Sequence, residues 1–384
     1  KNPTLLLLWS GKSLSIIGDA FFDLAVMWVI YAQSGSTFQS ALIGVASQLT
    51  YVLMSPVAGV FADRWDRKTI MWSSNFLSAI VVGSVAAIFF TLGYLPLIVA
   101  LASILVLNSL SVFIDPAESS VMPEIIGKER LSAAYGVFSV ITQAANLIGK
   151  GVAGVTIALI GSGWALTGDS LSFIIVAVCI LLAKIPRRKL NSASADRKVS
   201  ILSDIKEGWA YMNQHSILKA LIWLAFLVNI SSFIGPLYPA LVDTQLHRGA
   251  GAFGLLQASV IIGSIIGGLS TGFFDRRFKT GQFMGISLLI AGLATLGIGS
   301  SHMLILTMFF QIIQTFFTAI ASIMIMSTEL ILVSDEYRGR ITGLMQSMAM
   351  MAMPISTIIA GGIGDLIHVT YLFYFSAIWV LAIS

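Results

Sequence analysis

Four charged side chains stand inside stretches that are otherwise apolar: Lys12, Asp19 and Asp23 early in the chain, and Lys150 further on. A charge near the middle of a hydrocarbon layer costs roughly 2.5–3.5 kcal/mol even on insertion scales, so pairing or function must retain it. Asp19 and Asp23 are four residues apart and share one helical face. Counted from the start of each apolar run, Asp23 and Lys150 lie at similar depth, with Asp19 one turn away. Carboxylates and an amine so placed can exchange protons, hold a charged solute, or form a fixed bridge between two helices. The expectation is that Lys150 pairs with Asp23 or Asp19, the pairing alternating with proton or substrate binding; a permanent bridge is the structural alternative.

Other chemistries find no residues to carry them. Cys179 is the single cysteine and lies in an apolar run, so a disulfide or thiolate metal site is not available. His215, His247, His302 and His368 are scattered without ligand spacing, so no metal or other cofactor is expected. No Ser/His or paired-acid constellation and no phosphate-binding Gly-rich loop ending in Lys-Ser/Thr occurs, which argues against an enzyme and against an ATP-driven pump. The pI near 9.1 comes from loop residues and does not mark a nucleic-acid surface.

The elements that must position these groups follow from composition. Hydrophobic residues make up 57% of the 384, charged residues only 10%, and mean hydropathy is +0.91. Soluble domains carry about a quarter charged residues. The apolar runs reach the ~20 residues that a helix needs to cross a bilayer, and the short alternating segments of a membrane barrel are absent. The fold class expected is an all-α integral membrane protein with twelve spans at 4–33, 38–63, 69–92, 96–118, 130–160, 164–185, 216–243, 252–274, 280–300, 302–328, 338–365 and 370–384. The first run is too long for the apolar core of a signal peptide and reads as the first span.

Loops at 63–69, 127–130, 184–206, 275–279 and 335–340 hold most of the 22 Lys and Arg residues, whereas the opposite loops hold essentially Arg248 alone. Basic loops stay inside, so both termini are expected in the cytoplasm. The one long polar stretch divides the chain into a bundle at 1–185, a linker at 186–215 and a bundle at 216–384. Within the linker, Ile201, Leu202, Ile205, Trp209 and Met212 share a face opposite Asp204, Lys206 and Glu207, as in an interfacial amphipathic helix; a plain lead-in to the next span is the alternative. Gly136 and Gly154 in one half echo Gly343 and Gly361 in the other at equal offsets, the mark of a parallel repeat.

The second span ends in Gly59-Val-Phe-Ala-Asp63-Arg64-Trp-Asp66-Arg67-Lys68. This resembles the loop 2–3 signature of the major facilitator superfamily, and Gly272-Phe-Phe-Asp275-Arg276-Arg277 is a degraded copy after the eighth span. Gly18-Asp19-Ala-Phe-Phe, Asp115-Pro116-Ala117, Met122-Pro123-Glu124, Gly168-Asp169-Ser-Leu-Ser-Phe and Glu336-Tyr-Arg338-Gly339-Arg340 look like the bacterial exporters that include macrolide-efflux proteins and the enterobactin exporter. The resemblance implies two pseudo-symmetric six-helix bundles in the bacterial inner membrane. It also implies export of amphipathic drugs by alternating access, usually by proton antiport. An anionic siderophore or lipid-like substrate and a non-transporting receptor are the rival readings. Lys150 stands where antiporters of the superfamily often have proline, and Asn108 where many proton-coupled exporters have arginine.

The resemblance further implies that the first, fourth, seventh and tenth spans line the substrate path, making Asp19, Asp23, Asn108, Asn229, Phe233, Tyr238, Gln311, Gln314 and Phe317 its polar and aromatic candidates. Flexible Met345, Met348, Met350, Met351 and Met353 would accommodate varied shapes. Asp115 and Glu118 are expected to join Arg67, Lys68 or Arg340 in an inner gate with Gly59, Asp63, Arg64 and Arg338. Glu329 and Asp365 read as hydrated span ends. Small residues Gly149, Ala153, Gly263 and Gly267 are expected to let spans five and eight meet. The expected partners are a small-molecule substrate, protons and the lipid bilayer, with the chain acting as a monomer.

Overall fold

The computed structural model describes residues 3–126, 131–183, 209, 212, 214–333 and 338–384. Among them every regular element is helical. Six helices come first: α1 (Pro3–Ser34), α2 (Thr37–Arg64), α3 (Arg67–Leu92), α4 (Leu97–Ile126), α5 (Leu131–Ile160) and α6 (Ser162–Leu182). Six helical segments follow: α7 (Ser216–Thr244), α8 (Ala250–Arg277), α9 (Thr280–Ser300), α10 (Leu304–Leu332), α11 (Arg338–Gly364) and α12 (Val369–Ile383). Among the described residues, nine helices are long and apolar enough to cross a membrane. A helix satisfies its backbone internally, which lipid demands. The chain is a multi-pass membrane protein.

Short connections are built by local chemistry. Asp66 caps α3, its carboxylate accepting from Thr69 N at 3.1 Å and Thr69 Oγ1 at 2.9 Å. At the other end Gly93 takes a left-handed φ of 75° and donates its N–H to Phe89 O, a conformation that side chains disfavour. Lys68 donates to the carbonyls of Leu181 and Ala183 at 2.7 and 2.8 Å, placing a cation on the orphan acceptors at the C-terminal end of α6.

The chain forms two compact units. One holds α1 to α6 together with residues 247–258; the other holds α7, the rest of α8 and α9 to α12. In the first unit α1 packs on α5 and α6, α3 on α4 and α6, and α2 on α4. Within the second, α7 packs on α11 and α12, and α9 on α10 and α12. Four pairings therefore recur with every helix number raised by six. In addition Gly263 and Gly267 of α8 admit Ile312, Thr315 and Phe316 of α10, the counterpart of α2 on α4.

Two expectations are corrected here. Gly149 faces Ile17 and Ala20 of α1, and Gly263 and Gly267 face α10, so these small residues serve packing within each unit. The close approach of α5 to the start of α8 falls instead at Gly154 and Gly254, where a Cβ on Gly154 would stand 2.5 Å from the Gly254 Cα. The second correction concerns length. α4 runs through Pro116 and Pro123 to Ile126, and α10 reaches Leu332, which puts Glu329 inside a helix at 3% exposure. The expected amphipathic linker lies outside the described residues, apart from Trp209, Met212 and Gln214. Met212 is fully buried against Leu218, Ile222, Val333 and Ile341.

Proline reshapes α7. Residues Ser231–Leu237 tighten into a 3₁₀ turn around Pro236 before α-helix resumes at Tyr238. A proline lacks the N–H and clashes with the preceding turn, so the helix yields there; the repeat-related α1 has no proline beyond Pro3 and is continuous.

Candidate functional site

Inside the first unit, α1, α3, α4 and α6 surround a cavity of about 230 Å³. Its polar lining comes from Lys12, Ser15 and Asp19 on α1, Asn75 on α3, and Ser111, Asp115 and Glu118 on α4. Helical spacing explains the gathering. Lys12, Ser15 and Asp19 recur at intervals of three and four, as do Ser111, Asp115 and Glu118, so each set forms one face. The α6 contribution is apolar: Phe173, Val176 and Ile180. Near the N-terminal end of α1, Leu8 packs with Ile70, Met71, Ala117, Val121, Val176, Ile180 and Ala183 in a buried cluster.

Lys12 is the hub. Its Nζ lies 3.2 Å from Glu118 Oε2 and 3.3 Å from Asp115 Oδ1. The Glu118 side chain is 10% exposed and Asp115 57%, so solvent screens the second pair more than the first. Asp19 is the third carboxylate whose charge acts on Lys12. One amine thus faces three carboxylates around one cavity. Full ionisation leaves an excess of negative charge that a proton or a cationic group would relieve.

Among the described residues the gate acids meet a partner on α1. Asp115 and Glu118 are engaged by Lys12 of α1, and Lys68 instead holds the α6 carbonyls. Arg67 is buried at the start of α3. Gly59, Asp63 and Arg64 lie on α2, and Arg338 and Arg340 open α11; their side chains fall outside the described set, as do those of Met345, Met348 and Met350.

Asp23 is exposed on α1 and Lys150 half-buried on α5. Each acts electrostatically on the other, but no ion pair within 4 Å joins them among the described residues. Asn108 is not part of the cavity lining. It turns to its own helix, donating to Ile104 O, and accepts from Ser47 Oγ of α2 at 3.2 Å.

In the second unit the expected amides and rings form a ladder. Tyr238 Oη donates to Gln311 Oε1, Gln311 Nε2 to Gln314 Oε1 at 3.2 Å, and Gln314 Nε2 to Thr318 Oγ1 at 3.4 Å. Tyr238 also meets Phe373 edge-on at 5.3 Å, and Phe233 lies 6.2 Å from Phe375. Phe317 stacks edge-on against Phe316 at 4.9 Å, while Asn229 donates to Ala225 O on its own helix. No group of three side chains suited to a metal occurs among the described residues.

The sequence pattern alone assigns no role to Lys12 or Asp169. The signal for Lys12 was present: Asp115 and Glu118 share a face of α4 at a depth that a lysine early in α1 can reach. Asp169 is fully buried, packed over Gly18.

Comparison with known proteins agrees with this architecture. Macrolide efflux protein A of Streptococcus pyogenes is 25% identical, the match covering 98% of this chain and 93% of that protein. Multidrug efflux pump Tap of Mycolicibacterium fortuitum is also 25% identical, over 97% and 92%. Among solved structures, the nucleoside transporter NupG superposes with a TM-score of 0.77 at 13% identity, covering 97% of each chain. A bacterial homologue of the lysosomal transporter Spinster gives 0.75 at 14% identity, over 99% and 94%; both show the shared fold. The family model described as transmembrane secretion effector matches residues 1–384, and the chain belongs to that family of major facilitator transporters, which are not enzymes.

Proposed function

We propose that the protein exports bulky amphipathic molecules of the macrolide kind across the bacterial inner membrane, by alternating access in exchange for protons. The observation that carries this reading is the cavity of the first unit, where Lys12 faces Asp19, Asp115 and Glu118. An excess of carboxylates over amines binds protons readily and gives them up when a competing charge arrives. The named activities of the efflux relatives support the substrate class.

In this reading the basic loops hold both termini in the cytoplasm, and bundles 1–185 and 216–384 move about the linker 186–215 of a monomer. Asp19, Asp23 and Lys150 couple protons to substrate. Asn108, Asn229, Phe233, Tyr238, Gln311, Gln314 and Phe317 offer amides and rings to a bulky amphipathic ligand. Gly59, Asp63, Arg64, Arg67, Lys68, Arg338 and Arg340, with the Lys12 cluster, close the inner side. Proton entry neutralises a carboxylate, loosens its hold on the neighbouring amine, and so weakens the inner closure, favouring return to the inward-open state once substrate has left outward.

Proteoliposomes with an imposed pH gradient test this. Erythromycin movement driven by the gradient and abolished by a protonophore is expected. Binding without movement would point to a receptor. A second reading, transport of an anionic amphiphile, draws on Lys150, which makes no ion pair within 4 Å among the described residues. Lys150→Met separates the two, since selective loss of anionic substrates would favour the second.

A further inference from the structure

The Gly168-Asp169 motif of α6 has no part in the cavity chemistry described so far, yet Asp169 is the most fully enclosed acid described. Its exposure is 0%. Its Oδ1 is reached by Ser172 Oγ at 3.3 Å, and that hydroxyl also donates to Asp169 O at 2.8 Å, the better of its two contacts. The other oxygen, Oδ2, is buried and has no hydrogen-bond partner. Burying a polar group without a partner costs several kcal/mol, and a bare charge far more. Each such atom in a native structure therefore calls for a reason.

The surroundings supply one. Asp169 rests on the bare backbone of Gly18, where any Cβ would collide with Oδ1 and with Ser172. The next residue, Asp19, lines the cavity, and on α6 Asp169 lies four residues, about one turn, from Phe173 of the same lining. The charged groups acting on Asp169 are Asp19 and Asp23 of α1. Behind them, Lys12 acts on Asp19 and Lys150 of α5 on Asp23. α3, which packs along α6, brings Ala79 and Gly83 to the neighbouring Ser170 and has no charged residue from Thr69 to Leu92. α6 itself brings the Ser172 hydroxyl.

We propose that Asp169 is a proton-carrying group of the transport cycle, exchanging its proton with the cavity by way of Asp19. In the structure described, the proton sits on the carboxyl whose Oδ2 has no other partner. When α1 moves relative to α6, the O–H bond of Asp169 breaks, the proton passes to the Asp19 carboxylate and from there to water in the cavity. At the end of the step both carboxylates are ionised and the proton is on cavity water; a proton taken up from the cavity by the reverse route restores Asp169. Gly18 is the hinge surface for the step, because it alone lets the two acids approach on adjacent helices.

This inference rests on the proton-coupled reading above, and the test separates the two. Asp169→Asn has the shape of the protonated acid and is expected to fold and to retain erythromycin counterflow while losing gradient-driven transport. Infrared difference spectra of the purified wild type against Asp169→Asn, recorded over a pH series, read the proton without any substrate. The expected result is a protonated-carboxyl band in the wild type that disappears reversibly on alkalinisation and is absent from the variant. A band that never titrates, or none, overturns the proposal. So does a variant driven by the gradient as well as the wild type. A wild type that ignores the gradient but shows the titrating band defeats the antiport reading alone.

Discussion

The carboxylate of Asp169 on α6 lies directly against the backbone of Gly18 on α1, with no room for a single methyl group between them. That contact joins the two helices at the level where Asp19 enters the cavity. Small residues at membrane helix crossings allow such approach because dispersion and polar contacts, not water exclusion, hold the helices together.

Gly18→Ala is therefore expected to destabilise the protein by about 1–3 kcal/mol, the usual cost of overpacking a filled interior. Thermal unfolding in detergent micelles checks this. Gly151→Ala, at a glycine with no atoms within 4 Å of an added Cβ, is the control and should leave the melting temperature unchanged.

Lys12→Met strands Glu118, whose side chain is 10% exposed. Removing one partner of a buried pair costs about 3–5 kcal/mol, and partial access to the cavity brings the expected loss to the low end of that range. Asp115 is too exposed to add much. The double variant Lys12→Met with Glu118→Gln is expected to recover most of the stability, because no uncompensated charge remains. Denaturation of single and double variants in micelles would measure the coupling; additive losses would mean the pair is not a unit.

Asp23 and Lys150 act on each other without touching. Exchanging them, Asp23→Lys with Lys150→Asp, keeps the attraction but inverts the site. The expected outcome is a folded protein without gradient-driven transport, since a titrating carboxylate has been moved. Restored transport would identify a bridge that only fixes the packing of the two helices.

The helical spans are legible in the sequence nearly to the residue: α9 occupies the expected 280–300, and α1 the expected 4–33 to within one residue. Hydropathy decides such boundaries, because lipid leaves few alternatives to helix. The ends that differ have local causes. α4 was expected to end at residue 118 but runs on through Pro123 to Ile126, and α7 breaks around Pro236 where no break was expected. Membrane helices tolerate proline in either way, depending on what their neighbours supply.

Of the candidate site, the face of α4 bearing Asp115 and Glu118 was readable from spacing alone. Its partner was not, since Lys12 lies 103 residues from Asp115 in the chain and only helix packing brings them together. Asp169 offered still less. One acid at the expected position in an apolar helix carries no sign of what it will rest on, and its meaning comes from Gly18 across the interface.

The most direct test records erythromycin movement and internal pH together in one preparation of proteoliposomes, for the wild type and for Asp19→Asn. Opposed movement of drug and protons in the wild type, with both lost in the variant, is the predicted result. Drug movement that proceeds unchanged when the gradient is collapsed, or that survives in Asp19→Asn with proton movement intact, would contradict a proton-coupled exporter whose coupling acid lines the cavity of the first bundle.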